Sequence, residues 1–172
     1  ENGDMESIIG TQVYNMLCEA DLNIFNLEVP LTDNDTPIDK FGHNLKSPTK
    51  TINGFKAIPS LLLGLANNHS YDQGAEGLQS TIDTLTRAGI AYSGAGGNVN
   101  EAKKPYIFSK DGIRLGIYMC TENEFSSATI HSAGANPFDV LESFDDVQAL
   151  KEQCDYVVVL YHGGKEFYRY PS

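Results

Sequence analysis

The segment Leu61–Ala66 is apolar and is followed at once by the polar residues Asn67, Asn68 and His69. After a short turn, Gly74–Ala88 has aliphatic residues at spacings of four and three, which is the period of an amphipathic helix. A short apolar run bounded by turn-forming residues is typical of a buried strand. A strand, a polar turn and a helix in this order indicate an α/β fold.

The rest of the chain continues this alternation of strands and helices. Strands are predicted at Asp21–Glu28, Ile90–Ser93, Tyr106–Phe108, Ile113–Met119 and Val157–Leu160, with the last of these fully buried. Helices are predicted at Thr11–Glu19, Asn53–Ile58 and Val140–Cys154, and a long polar loop at Pro30–Ser47. The pair Asp111-Gly112 predicts a hairpin. We therefore expect a layered mixed β-sheet flanked by helices.

Composition limits the function. The chain has 172 residues and a formal net charge of −11, without a block of Lys or Arg. Such a surface repels phosphate backbones, so no nucleic-acid partner is expected. No stretch approaches the roughly 18–20 apolar residues of a membrane span. The three cysteines lack metal-ligand spacing, and Cys120 and Cys154 are expected to be buried free thiols.

Polar side chains of one chemical kind follow three of the predicted strands. In open α/β sheets, ligands bind outside the carboxyl ends of the strands, so these groups are expected to converge if the strands are parallel. Carboxylate, amide oxygen and imidazole are ligands for divalent Mn, Fe or Zn, and the cofactor expected here is one or two such ions. The groups are Asn26 and Glu28, then Asn67, Asn68 and His69, then His162 and Glu166.

Each of these residues also has a structural alternative. Asn67 and Asn68 could form an Asx turn or cap, and His69 could be a hydrogen-bonded buried histidine. Glu28 could be solvated at a strand end, and His162 could serve the fold alone. In the long loop, His43 could contact a substrate or simply lie at the surface. The Gly-rich stretch "GAGGN" lacks the spacing of a nucleotide-binding motif and is expected to be a loop.

Four segments together resemble one known family. They are "NLEVPLT", "LANNHSYDQGAEGLQSTIDTL", "AGIAYSGAG" and "VVVLYHGGKEFYRYPS". In sequence and order they are similar to the bacterial CapA family of capsule synthesis, which is associated with poly-γ-glutamate capsules. The resemblance extends from Asp21 to Ser172. It implies an architecture of the calcineurin-like metallophosphatase type.

The resemblance also implies roles for individual residues. Asn68, His162 and Glu28 match positions of metal ligands, with Glu28 in place of the usual Asp. His69 matches the general acid, and Asp72 is expected to orient it. An imidazole suits that role because it gains and loses a proton near neutral pH. Second-sphere or substrate contacts are expected from Asn26, Asn67, Glu166 and His43.

The chain departs from the family pattern at two places. The family begins with a strand that ends in Gly-Asp, but no apolar strand precedes Gly3-Asp4, which also lies close to Glu28. The family also has a His-x-His motif beyond the point where this sequence stops. Residues 1–172 are therefore expected to form a single CapA-like domain that lacks both features.

These expectations lead to one main functional hypothesis and two alternatives. The main one is a metal-dependent hydrolase or transferase that acts on an anionic cell-envelope polymer, such as poly-γ-glutamate or a polysaccharide. The first alternative is a non-catalytic polymer-binding or scaffold subunit of a capsule synthesis or export assembly. The second is a metallophosphoesterase for small substrates. The resemblance also implies membrane-bound synthesis proteins as partners and a location in the cell envelope, outside the cytoplasm or at the membrane.

Overall fold

A computed structural model of the chain describes residues 5–165 and 168–170. The helices are α1 (Met5–Ile9), α2 (Thr11–Glu19), α3 (Ile52–Phe55), α4 (Gly74–Ala88), α5 (Val99–Ala102) and α6 (Glu142–Lys151), and a 3-10 turn at Thr49–Thr51 precedes α3. The strands are β1 (Asn23–Asn26), β2 (Leu61–Gly64), β3 (Ala91–Ser93), β4 (Ala95–Gly96), β5 (Tyr106–Lys110), β6 (Ile113–Thr121), β7 (Gly134–Ala135) and β8 (Tyr156–His162).

Two three-stranded sheets form the centre of the fold. The first has the order β1-β2-β3 and is parallel throughout, so that Asn26 pairs with Gly64 and Gly64 with Ser93. The second has the order β5-β6-β8, in which β5 and β6 form an antiparallel hairpin and β6 pairs with β8 in parallel. Because β1 and β2 are parallel, their carboxyl ends lie side by side at one end of the first sheet. The carboxyl ends of β6 and β8 likewise lie side by side at one end of the second sheet.

The two sheets pack face to face between helices. Alternate residues of β2 point to opposite sides: Leu61 and Leu63 pack with residues of α4, whereas Leu62 packs with Ile117 and Met119 of β6. The other face of β6 packs against α6, where the largest buried side chains are Tyr118 and Leu150. The order of layers is therefore helix, sheet, sheet, helix. The predicted layered α/β fold with a mixed sheet flanked by helices is confirmed.

One predicted strand differs in its burial. Val157–Leu160 was expected to be fully buried, but Val158, Val159 and Leu160 are 37%, 47% and 37% exposed. Within the described residues, β8 pairs only with β6 and so forms an edge of its sheet. An apolar run alone does not distinguish a central strand from an edge strand, and this part of the prediction is wrong.

The helix at the outer face of the second sheet also differs from its prediction. It was predicted at Val140–Cys154 but begins at Glu142 and ends at Lys151. Asp139 accepts hydrogen bonds from the N–H groups of Leu141 and Glu142, which caps the helix and fixes its start. Leu150 is buried, as its helical spacing predicts. Within residues 5–165 and 168–170, no helix combines the length and apolar composition that a membrane span requires.

Candidate metal centre

Side chains from three strand ends meet at one edge of the fold. Nε2 of His162, the last residue of β8, lies 3.2 Å from Oδ1 of Asn68, which follows β2. The same nitrogen lies 3.7 Å from Oε1 of Glu28, which follows β1. The structure therefore brings together the three residues that the sequence predicts as metal ligands, although they come from two different sheets.

The separations of Asn68 and Glu28 from His162 are compatible with ligands of one divalent ion. Ligand atoms that each lie about 2.0–2.2 Å from one ion are roughly 2.8–3.8 Å apart when the angle between them is about 90–120°. Both measured separations from His162 Nε2 fall in that range. Imidazole, amide oxygen and carboxylate are also a chemically reasonable set for Mn, Fe or Zn. Within the described residues, no three His, Cys, Asp or Glu side chains are grouped so that they could hold a metal ion. The present set has only two such residues, Glu28 and His162, because its third donor is the amide of Asn68.

A network of amides joins the ends of β1 and β2. The side chain of Asn67 is fully buried and donates to Oδ1 of Asn26 and to the carbonyl of Leu27, both at 3.0 Å. Asn26 in turn donates to Oε2 of Glu28 at 3.0 Å. This network positions the Glu28 carboxylate beside His162.

The two asparagines after β2 have different roles in the structure. Oδ1 of Asn67 accepts from the backbone N–H of His69 at 3.1 Å, which is an Asx turn. The structural alternative considered for this residue is therefore present. Asn68 instead directs its amide oxygen to His162.

His69 is held by a buried carboxylate. Nδ1 of His69 lies 2.8 Å from Oδ2 of Asp72, whose side chain is fully buried, while the His69 side chain is 21% exposed. The same carboxylate accepts from the backbone N–H of Leu45 at 2.6 Å and pairs with the ammonium of Lys40. The spatial relation expected between Asp72 and His69 is thus present, and Lys40 is an additional partner that the sequence analysis missed.

The predicted ligands and His69 line an open acidic cavity of about 470 Å³. Two further carboxylates, Glu122 and Glu124, also line it and were missed by the sequence analysis. The signal for Glu122 was present, because it directly follows β6 in "CTENE", just as the predicted ligands follow their strands. Its Oε2 accepts from the backbone N–H of Gly164 at 3.1 Å, which ties the segment after β8 to the end of β6.

Tyr161, whose ring lines this cavity, is affected by the carboxylate of Glu122. Partial burial and the charge of Glu122 raise the pKa of Tyr161, so its phenol stays protonated at neutral pH. The Tyr161 ring also meets Phe138 edge to face, with ring centroids 5.5 Å apart. The cavity therefore has one aromatic side, while its carboxylates give it an overall negative character that favours cations.

One other candidate from the sequence does not line this cavity, and the rest fall outside the described residues. His43 is exposed on the long loop and does not line the cavity, so its role in substrate binding stays a prediction. Glu166 lies outside the described residues, as do Gly3 and Asp4. His131 is exposed, and its backbone N–H donates to Thr129 within its own turn.

Comparison with known proteins gives a consistent picture. The family model described as bacterial capsule synthesis protein PGA_cap matches residues 2–172. The capsule biosynthesis protein CapA of Bacillus anthracis is 30% identical over 135 residues, which are 75% of this chain and 33% of that protein. The PGA biosynthesis protein CapA of Bacillus subtilis is 27% identical over 152 residues, which are 86% of this chain and 40% of that protein. The chain therefore spans between a third and two fifths of these relatives.

Two solved structures are similar to part of the chain. The NAD nucleotidase NadN of Haemophilus influenzae has a TM-score of 0.47 and 23% identity, over 69% of this chain and 22% of that one. A putative 5'-nucleotidase from Staphylococcus aureus has a TM-score of 0.37 and 22% identity, over 62% of this chain and 21% of that one. Similarity at this level concerns the arrangement of strands and helices and does not extend to chemistry.

Proposed function

The chain belongs to the bacterial capsule synthesis protein family PGA_cap, and we propose that its strand-end site is a divalent-metal centre of a hydrolase or transferase. The substrate would be an anionic cell-envelope polymer such as poly-γ-glutamate. The single observation that supports this most strongly is the convergence of Glu28, Asn68 and His162 from three strand ends, directly beside the His69–Asp72 pair.

The residues of the site divide into two groups by role. Glu28, Asn68 and His162 would hold the ion, with Asn26 and Asn67 fixing the position of Glu28. When bound, such an ion polarises a carbonyl or phosphoryl oxygen and ionises water near neutral pH.

His69 would supply the proton that the leaving group needs. Its Nδ1 faces the Asp72 carboxylate at 2.8 Å, and a carboxylate oxygen accepts hydrogen bonds. The neutral ring therefore carries its proton on Nδ1 and leaves Nε2 as the nitrogen that takes up and releases a proton. An imidazole held in one tautomer by a buried carboxylate is an efficient proton carrier.

The charge of the cavity bears on the choice of substrate. Three glutamates line it, and the chain has a net charge of −11, so an anionic polymer without cations would be repelled. A divalent ion at the site would reverse this locally and give the polymer a point of attachment. The proposal therefore requires that polymer binding depends on the metal.

The test is the metal content of the protein, purified without chelator and incubated with Mn or Zn, by elemental analysis. We expect bound metal in the wild type and its loss in Glu28→Ala and His162→Ala, because removing a ligand should lower the affinity by more than about tenfold. His131→Ala is the matched control, because it removes an exposed imidazole that lies away from the cavity. Circular dichroism would show that all three variants are folded.

The outcomes distinguish the functional hypotheses. No metal in the wild type would refute the metal-dependent enzyme and leave a polymer-binding or scaffold subunit. Metal binding with hydrolysis of generic aryl phosphates would favour a small-substrate phosphoesterase instead. Metal-dependent binding or cleavage of poly-γ-glutamate would support the main proposal.

A further inference from the structure

Lys40 lies in the long loop between β1 and β2, yet its side chain is only 2% exposed. We propose that Lys40 is a positioning residue for His69, a role that rests on the function proposed above. It acts through Asp72: its ammonium holds that carboxylate in place against the ring, so that His69 keeps a single tautomer.

The contacts of Asp72 divide between its two oxygens. Oδ1 accepts from Nζ of Lys40 at 2.5 Å. Oδ2 accepts from the backbone N–H of Leu45 at 2.6 Å and faces Nδ1 of His69 at 2.8 Å. Each oxygen therefore has its own cationic or N–H partner. A buried carboxylate with this set of partners is fully hydrogen-bonded, and removing the ammonium of Lys40 would leave its charge poorly compensated.

The shorter of two contacts at Nδ1 of His69, the one with Asp72, favours one tautomer over the other. Nζ of Lys40 lies further away, at 3.4 Å from Nδ1, and because an ammonium only donates, that contact does not itself require a proton on Nδ1. If Nδ1 carried no proton, its lone pair would face the Asp72 oxygen at 2.8 Å, and two acceptors would repel each other. With the Asp72 carboxylate held as an acceptor against the ring by Lys40, the neutral imidazole carries its proton on Nδ1.

Lys40 is itself fixed from a second side. Its Nζ lies 4.6 Å from the centroid of the Phe125 ring, in the segment after β6, which is a cation–π distance. Another lysine of the same loop, Lys46, pairs with Asp35 in an exposed position, with side chains 38% and 80% exposed. The two ion pairs of one loop thus differ in burial and in their relation to the site. Lys46 is therefore the natural control.

A buried ion pair could also serve only to anchor the loop, so the test needs a measurement that anchoring would not change. The ring nitrogens of His69 can be followed by long-range 1H–15N correlation in the metal-free protein at about pH 8, where an ordinary imidazole is neutral. We expect the wild type to show one tautomer with the proton on Nδ1. In Lys40→Met we expect a mixture of the two tautomers, whereas Lys40→Arg should restore the wild-type spectrum and Lys46→Met should not change it.

Several results would overturn the inference. A wild-type ring protonated on Nε2 would refute it without any variant. A folded Lys40→Met with the wild-type tautomer would show that Lys40 only anchors the loop. If Lys40→Met does not fold, the tautomer of His69 is measured in Lys40→Gln instead, which keeps a hydrogen-bond donor for Asp72 but removes the charge. A wild-type tautomer in that folded variant would equally refute the inference.

The failure of this inference can be distinguished from a failure of the proposed metal centre. Lys40 contacts none of Glu28, Asn68 and His162 in the hydrogen bonds and ion pairs described above, so metal affinity in Lys40→Met should stay within about twofold of the wild type. A wild type that binds no metal would refute the proposed function, while the tautomer of His69 would still be measurable and would test Lys40 by itself.

Discussion

Replacing Asn67 with alanine tests how the site is held together. The side chain of this residue is fully buried and makes three hydrogen bonds, to Asn26, to the carbonyl of Leu27 and from the N–H of His69. Each such bond contributes roughly 0.5–1.5 kcal/mol, so the variant should lose about 3 kcal/mol of unfolding free energy. Of the partners left behind, Leu27 is buried whereas Asn26 is exposed, so the loss should lie near the middle of the range.

The assay is urea unfolding followed by circular dichroism, with the midpoint and slope compared between variants. Asn53→Ala is the matched control, because Asn53 is exposed and its amide oxygen accepts only from Lys56 at 3.3 Å in the contacts described. It should change stability by less than about 0.5 kcal/mol. A loss below about 1 kcal/mol in Asn67→Ala, at unchanged slope, would refute the three-bond network.

Two further predictions concern backbone conformation and a buried thiol. Gly94→Ala should be clearly more destabilising than Gly112→Ala in the same urea assay. Both glycines have a positive φ, at 93° and 79°, so both substitutions strain the backbone. Only at Gly94 would the added Cβ also lie 2.8 Å from the backbone nitrogen of Ala66. Equal losses would contradict this close approach. Burial raises the pKa of Cys120 from 9.0 to about 11, so the thiol stabilises the fold below about pH 9, and this contribution is lost as the pH rises towards 11. Cys120→Ala should therefore lose less stability between pH 8 and 10.5 than the wild type, and at pH 8 a thiol reagent should modify exposed Cys18 well before Cys120.

The order of strands and helices was predictable because it depends on local periodicity. The α4 pattern and the helical Gly89 cap are examples, since Gly89 has a φ of 69° and follows the last turn of the helix. The exposure of β8 was not predictable, because a run such as Val157–Leu160 has the same sequence whether its second edge is paired or open. The choice between an edge and a central strand is made by the rest of the fold.

Some residues of the site were also predictable from the sequence, and others were not. The strand-end rule singled out Glu28, Asn68 and His162 as candidates, which the structure brings together, and the same rule applied to the end of β6 would have added Glu122. Which of two neighbouring asparagines turns back on the backbone depends on side-chain direction, which sequence spacing does not give. Lys40 lies in a loop without periodicity, and its carboxylate partner is 32 positions away along the chain, so no local pattern links the two.

The parallel pairing of the strands has a consequence for how the chain folds. Leu61 pairs with Asn23, and Tyr156 with Leu115, so most of the sheet hydrogen bonds join segments that are distant in sequence, whereas the β5–β6 hairpin is local. Loops of this length must close before their contacts contribute any stability, and chains dominated by such contacts fold slowly, over roughly milliseconds to seconds. During that interval the leucine-rich β2 is exposed to other unfolded chains, so recovery after dilution from urea should fall as protein concentration rises.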